Sequence, residues 1–404
     1  MTTIAYITDV EGQWPKVEDF AQDNALVSLA GETLTVQNGA RLVFGGDAID
    51  RGPNGRKVMR ALLDVKRRQP DQVVLLAGNR DINKLRLWRE LQGHFFDPVP
   101  DDLQGADAAT VLRWIFKYTM GAGQGFVHRQ AELAAEGEDA SDLAVPQSFL
   151  DDVRPGGLLA EYLRACTLAH REGATLFVHG GVTHESLGHV PGLARIDDPD
   201  AWAAALNAWY AGNMALYYDR AVKDPQHAGW NELIAYQAPV KLSRRNQASV
   251  VYGRTADDQG NPHLPDDQTM KRLTTAKIHR LIVGHTPSGD APSILRAPDF
   301  ELVFADNSYS PLEHGNRLIV TDDAIDVRAR ARLFEGKEVD VAFALKHADR
   351  QTLIGLRDEK SGHLVKGKSA DGRYLLQRFG EQYRLEQLAE GLDALQKRPL
   401  APPT

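Results

Sequence analysis

Arg41-Leu42-Val43-Phe44-Gly45-Gly46-Asp47-Ala48-Ile49-Asp50-Arg51-Gly52 decides how this chain is read. A short apolar run that stops at paired glycines and an aspartate has the pattern of a buried strand whose carboxyl end presents a carboxylate. The same punctuation recurs along the sequence. Ile4–Thr8 stops at Asp9, Val73–Ala77 at Gly78-Asn79, Thr175–Val178 at His179, Leu281–Val283 at Gly284-His285, and Glu301–Ala305 at Asp306. Helical patterns such as Arg56–Arg68, Leu158–Arg171 and Ala201–Tyr218 lie between these runs, so the first 330 residues read as α/β. In an open α/β sheet, ligands collect outside the carboxyl ends of the strands. Those ends deliver Asp9, Asp47, Asn79, His179 and His285, a set of hard oxygens and imidazoles suited to Mn, Fe, Zn or Mg. A carboxylate at Asp47 can bridge two cations, and Arg51 can fork onto a phosphate.

Composition narrows the class. The 404 residues carry 47 Lys and Arg against 55 Asp and Glu, a net charge of −8, so no global basic field exists to coat nucleic acid or an anionic membrane. With 43% hydrophobic and 25% charged residues, the chain is an ordinary globular sequence. No apolar run approaches the roughly 18 residues that a membrane span needs. The opening Met1-Thr2-Thr3-Ile4-Ala5-Tyr6 lacks the basic flank of a secretory signal, so a cytoplasmic location is expected. The single cysteine, Cys166, forms no internal disulfide; it is expected to pack on the apolar face of a helix.

Between Asn79 and His179 the sequence reads as a helical insert, about residues 85–170. Its aromatics, including Trp88, Phe95, Phe96, Trp114, Phe116 and Tyr118, are expected to form its own core. A second insert covers about residues 185–270. Beyond about Asp322 the pattern changes to short strands, with a last helix expected over Leu385–Gln396. The expected division is therefore 1–325 for the site-bearing domain and 326–404 for a small β-rich appendage.

The ordered blocks resemble the calcineurin-like metallophosphoesterases, especially their phosphoprotein-phosphatase branch and its diadenosine-tetraphosphatase relatives. That family's signature is D-x-H, G-D-x-x-D-R-G, G-N-H-E, H-G-G and G-H-T-P. Here the blocks are Asp9-Val10-Glu11, Gly46 through Gly52, Gly78-Asn79-Arg80-Asp81, His179-Gly180-Gly181 and Gly284-His285-Thr286-Pro287. The resemblance implies a four-layer sandwich of two mixed sheets flanked by helices. It also implies two divalent ions, Mn foremost with Fe, Zn and Mg as alternatives. Asp47 would bridge them, Asn79, His179 and His285 would complete one site, and Asp9 would serve the other.

Two positions depart from the pattern. Glu11 replaces a histidine ligand, and is read either as a carboxylate ligand or as a cap of the following turn that leaves one metal. Arg80 replaces the family's proton-donating histidine, which pairs with the aspartate matching Asp50; an arginine is permanently charged and donates no proton. Arg80 is expected to be held by Asp50 or Asp81. His184 is a candidate replacement acid or a plain loop histidine. Arg254 is a candidate second phosphate clamp or a surface arginine, and Asp306 is expected to support the site. The activity implied is hydrolysis of a phosphomonoester, on a phosphoprotein or a small phosphorylated metabolite, by a metal-bound hydroxide. The alternatives are hydrolysis of a nucleotide phosphoanhydride and non-catalytic phosphate binding. Oligomeric state is not written in the sequence.

Overall fold

Strand β1 (Thr3–Ile7) sends alternate side chains into two separate cores, Ile4 and Tyr6 into one, Ala5 and Ile7 into the other. Burial on both faces marks a central strand of a layered α/β fold. A computed structural model describes residues 2–22, 24–96, 98–221, 223–224, 231–240 and 245–403. Its first sheet runs, in spatial order, β13 (Glu338–Lys346), β12 (Ala324–Arg332), β11 (Arg317–Val320), β1, β4 (Ala40–Phe44) and β5 (Val73–Leu75). A hairpin of β2 (Val27–Ala30) and β3 (Thr33–Val36) precedes β4. The second sheet runs β6 (Ala169–Glu172), β7 (Thr175–Val178), β8 (Arg280–Pro287), β10 (Phe300–Asp306) and β9 (Ser293–Ala297).

Both sheets are mixed. β1, β4 and β5 are parallel, as are β7, β8 and β10, with antiparallel strands at the margins. Tyr6 of the first sheet stacks on Phe177 of the second, their ring centroids 5.7 Å apart, within the core between the sheets. Helices cover the other faces, among them α1 (Trp14–Ala21) and α2 (Gly55–Arg68), whose Val58, Met59, Leu62 and Val65 share a core with Leu42 and Phe44. This is the sandwich of two mixed sheets and flanking helices that the resemblance implies.

After α3 (Asn79–Asn83) the first insert is helical, built from α4 (Leu87–Glu90), α5 (Ala108–Tyr118), α6 (Gly125–Ala135), α7 (Ala144–Val153) and α8 (Leu158–Arg164). Leu112, Ile115, Phe116, Phe126, Leu133 and Phe149 make its separate core, with Phe95 and Trp114 packed against it; Trp88 and Phe96 join the main core, and Tyr118 is exposed. The second insert contains α9 (Pro199–Arg220), α10 (Asn231–Tyr236) and α11 (Asp267–Thr275); its residues 222, 225–230 and 241–244 lie outside the described residues.

Three expectations are corrected. The helix expected over Leu158–Arg171 stops at Arg164, because Thr167 bridges to Leu76 and the chain turns into β6. Cys166 therefore sits just past the helix, buried, with its Sγ 3.2 Å from the carbonyl of Tyr162. The helix expected over Leu385–Gln396 is mostly strand. β17 (Leu385–Glu390) pairs along its whole length with β16 (Tyr374–Phe379), and only α12 (Leu392–Leu395) is helical. Backbone pairing at a waiting sheet edge outweighs the intrinsic helix preference of Leu, Glu and Gln. Finally, β12 and β13, expected in the C-terminal appendage, pair into the first sheet. The separate C-terminal sheet is β17, β16, β15 (Leu364–Lys368), β14 (Arg357–Asp358) and β18 (Leu400–Ala401).

Candidate metal centre

The parallel strands of both sheets end on one side of the molecule, and the ends of β1, β4 and β8 carry residues with a constrained backbone. Among the described residues seven non-glycine positions have a positive φ, and five belong to this cluster: Asp9 (50°), Glu11 (47°), Asp47 (57°), Asp50 (119°) and His285 (58°). Such conformations cost of order 1–3 kcal/mol each and survive where surrounding structure dictates them. The dictating contacts are main-chain hydrogen bonds that stitch the two loops together. Asp9 N donates to Gly46 O (2.9 Å), Glu11 N to Asp47 O (3.0 Å) and Arg51 N to Glu11 O (2.7 Å). Glycine is required at Gly78 and Gly284, where a Cβ would fall 2.1 Å from Asp47 Oδ1 and from Asp9 Oδ2, respectively.

Asp81 anchors the Asp47 turn. Its carboxylate accepts the main-chain N–H groups of Asp47 (2.9 Å), Ala48 (2.9 Å) and Gly78 (3.1 Å), so it faces away from Arg80 and supports the backbone instead. Asn79 opens α3, and its Oδ1 lies 3.1 Å from His179 Nε2 and 2.8 Å from His285 Nδ1. His179 Nδ1 donates to the Gly45 carbonyl (2.8 Å), which turns Nε2 toward Asp47 Oδ1 at 3.3 Å. A metal-ligating imidazole is commonly oriented in this way, through its other nitrogen. His285 is met from its far side by Arg254, whose Nε donates to Nε2 (3.0 Å).

Asp47, His179 and His285 offer ligand atoms within 4.8 Å of one another, as do Asp9, Glu11 and Asp47, and all these residues are buried. Burial, with the Asp306 charge added, holds the Asp9 carboxyl well above the usual carboxylate range. Burial and the adjacent Arg254 hold His285 well below the ordinary histidine value, as a neutral imidazole. At His179 burial pulls downward, but Asp47 more than offsets it and raises the pKa to about 10. Buried acids short of countercharge, beside a neutral imidazole, are a donor set that a divalent cation satisfies. The Asp47, Asn79, His179 and His285 group fits such an ion.

The cationic residues gather on the other side. Arg80 Nε lies 2.9 Å from Glu11 Oε1, and Arg80 Nη1 lies 3.4 Å from Asp50 Oδ2. Arg51 Nε lies 2.8 Å from Glu11 Oε2, and its guanidinium stacks 3.4 Å above the exposed ring of Tyr309. Asp9, Glu11, Asp47, Asp50, Arg51, Asn79, Arg80, His179, Arg254 and His285 are thus brought together. His184 is not; it is exposed, with its carbonyl bonded to Arg195.

Sequence reasoning missed Lys84, Tyr309 and Gln247. Lys84 is fully buried, with Nζ 2.7 Å from Asp50 Oδ2; its position one helical turn after Arg80 was the available signal. Gln247 grips the main chain of Arg254 on both sides, accepting from its N–H and donating to its carbonyl, each at 2.9 Å.

Residues 2–289 match the model of the calcineurin-like phosphoesterases. The chain belongs to that family. It is therefore a phosphoester hydrolase by descent, with candidate seats for divalent metal. No curated protein shows significant similarity to this calcineurin-like phosphoesterase. Similar solved structures include a cold-active protein-tyrosine phosphatase of the psychrophile Shewanella sp., 14% identical, covering 84% of this chain and 80% of that chain with a TM-score of 0.46. A protein serine/threonine phosphatase from Saccharomyces cerevisiae, described as similar to human phosphatase PP5, is 15% identical over 86% of this chain and 82% of its own, with a TM-score of 0.38. A metallophosphoesterase from Sphaerobacter thermophilus is 12% identical over 79% and 83%, with a TM-score of 0.27. Among the described residues, no helix is long and apolar enough to cross a membrane.

Proposed function

We propose that this calcineurin-like phosphoesterase is a metal-dependent phosphatase acting on a phosphomonoester, either a phosphoprotein or a small phosphorylated metabolite. The observation that carries the reading is the convergence of Asp47, Asn79, His179 and His285 from four strand ends beside Arg51 and Arg254. The carboxylate-rich surroundings favour a hard ion, with Mn foremost. A divalent ion held there neutralises phosphoryl charge and acidifies water. Arg51, fixed between Glu11 and Tyr309, is placed to orient a phosphate group by its guanidinium fork, with Arg254 as a second clamp. His179, held in its protonated form by Asp47, would have to lose that proton to serve as a ligand, so ion uptake is expected to be weaker at low pH.

Asp47→Asn tests the reading. Turnover is expected to fall by roughly two to three orders of magnitude with the circular dichroism spectrum retained, since a lost charge at the centre removes several kcal/mol of transition-state stabilisation. Near-parental turnover in the folded variant would sink the proposal.

Arg80 supports a second reading, a nucleotide phosphoanhydride as substrate. Its buried guanidinium is held still further toward the charged form by Glu11 and Asp50, although burial works the other way. It can stabilise a departing anion but cannot protonate one. Phenolate and phosphate leaving groups are therefore expected to be favoured over serine or sugar alkoxides. A series of aryl phosphates, with diadenosine polyphosphates as anhydride probes, measures this. The expected result is a steep leaving-group dependence that Arg80→His flattens and His184→Ala leaves unchanged. A shallow dependence in the parent protein means that the acid lies elsewhere.

A further inference from the structure

Glu11 and Arg80, the two residues that depart from the resemblance, touch each other. Arg80 Nε reaches Glu11 Oε1 at 2.9 Å and approaches Asp47 Oδ2 at 3.6 Å, while its Nη1 faces Asp50 Oδ2 at 3.4 Å. The remaining Glu11 oxygen faces Arg51 Nε at 2.8 Å. Both Glu11 oxygens thus lie against guanidinium groups as ion pairs, the Oε2 contact with Arg51 falling outside hydrogen-bond geometry. The Asp9 carboxylate is engaged as well, taking the Thr8 hydroxyl at 2.5 Å and the main-chain N–H of His285 at 3.1 Å.

Asp9, Glu11 and Asp47 stand close enough to form a ligand set, but an ion there needs their lone pairs at about 2.0–2.2 Å. Two of the three already share a permanently charged cation whose side chain is only 12% exposed. A divalent ion seated among them would lie against that guanidinium with little water to screen the repulsion. On the other side of Asp47 the nearest guanidinium, that of Arg254, meets His285 at Nε2 instead of standing among the carboxylates. The second seat implied by the family resemblance therefore does not fit an ion. Lys84, bonded to Asp50 at 2.7 Å and to the Arg80 carbonyl at 3.2 Å, holds the arginine's own anchor in place.

We propose that Arg80 is the second cation of this centre. Its guanidinium joins Glu11, Asp47 and Asp50 where a second divalent ion would stand, so that one ion binds per chain, on the Asn79, His179 and His285 side of Asp47. Glu11 is then the countercharge of Arg80 and Arg51 rather than a ligand. The inference rests on the metal-centre reading above.

The test counts ions rather than turnovers. The full chain, stripped of metal, is titrated with Mn²⁺ alone by calorimetry. Bound manganese is measured by mass spectrometry after gel filtration, and the saturated protein is examined by electron paramagnetic resonance. The parent is expected to bind one equivalent, with the spectrum of an isolated ion. Glu11→Gln is expected to bind one equivalent too, and Arg80→His two, with a spin-coupled spectrum. Two equivalents in the parent overturn the proposal while leaving the metal-centre reading intact. One equivalent in a folded Arg80→His variant also overturns it, because something other than Arg80 then closes the seat. No binding in the parent overturns both readings together. Should Arg80→His fail to fold, the parent's stoichiometry and spectrum decide alone.

Discussion

At the scale of single residues, the site depends as much on what is absent as on what is present. Gly78 passes so close to Asp47 that a Cβ would sit 2.1 Å from Oδ1 and 2.2 Å from the main-chain nitrogen. Gly78→Ala is therefore expected to displace the Asp47 carboxylate and lower turnover at least about a hundredfold, since displacements near 1 Å at a reacting centre cost that much. Steady-state kinetics beside a circular dichroism spectrum check this, and full activity would show that the carboxylate can move without loss. The ligand-type residues were legible because each follows an apolar run and lies among glycines, a local signal. The contacts of Lys84 with Asp50 and of Tyr309 with Arg51 were not, because they arise only when distant segments pack, and Gln247 reaches Arg254, seven residues on, only through the course of an irregular loop. Asp81 illustrates the limit: its place beside Arg80 in sequence suggested a partner for that side chain, whereas its carboxylate holds the neighbouring turn.

At the scale of elements, the strands with two buried faces were readable and most of the edges were not, β5 being the exception. β1, β4, β7, β8 and β10 are continuous apolar runs, while β17 reads as helix in isolation and becomes strand through its pairing with β16. A testable contact joins the two sheets at their margins. His170 on β6 lies on Phe177, with ring centroids 6.2 Å apart, and beside Arg41 of β4, which is also bonded to Glu172. Burial, helped by Arg41 and against Glu172, lowers the His170 pKa from 6.5 to about 4. Between those values the unfolded chain binds a proton that the folded chain refuses, so this group's contribution falls as the pH drops from 6.5 toward 4. His170→Gln is expected to flatten part of the acid limb of stability, measured by urea denaturation at pH 5 and pH 7. Parallel limbs in the two proteins would show that His170 is not the titrating group.

At the scale of the whole molecule, the C-terminal sheet is tied directly to the centre. Lys366 of β15 is fully buried and donates to the carbonyl of Ser288, three residues past His285, at 2.6 Å, and to Gln377. Burial lowers its pKa from 10.5 to about 7, with Asp290 opposing. Between pH 7 and 10 the unfolded chain binds more protons at this position, so its contribution to stability rises with pH. Lys366→Met is expected to cost about 1–3 kcal/mol through the acceptors left unpaired, and to remove that rise. Urea midpoints at pH 7, 8 and 9 measure both effects, and identical pH slopes would refute the assignment. Deletion from residue 330 removes β13 and part of β12 from the first sheet. It is expected to yield unfolded chain, whereas a chain ending after Lys346 tests the third sheet by itself.

The strand order also governs how the protein is made. β1 is finished at Ile7, yet the neighbour that covers its second edge, β11, begins only at Arg317. At about 5–20 residues per second, a ribosome leaves that edge bare for roughly 15–60 seconds after β1 emerges. Every candidate ligand has been synthesised before the edge closes. The nascent chain therefore holds its reactive residues while still presenting an open template for intermolecular strand pairing. Chains halted near residue 310 should aggregate or recruit chaperones, whereas those halted after residue 350 should not.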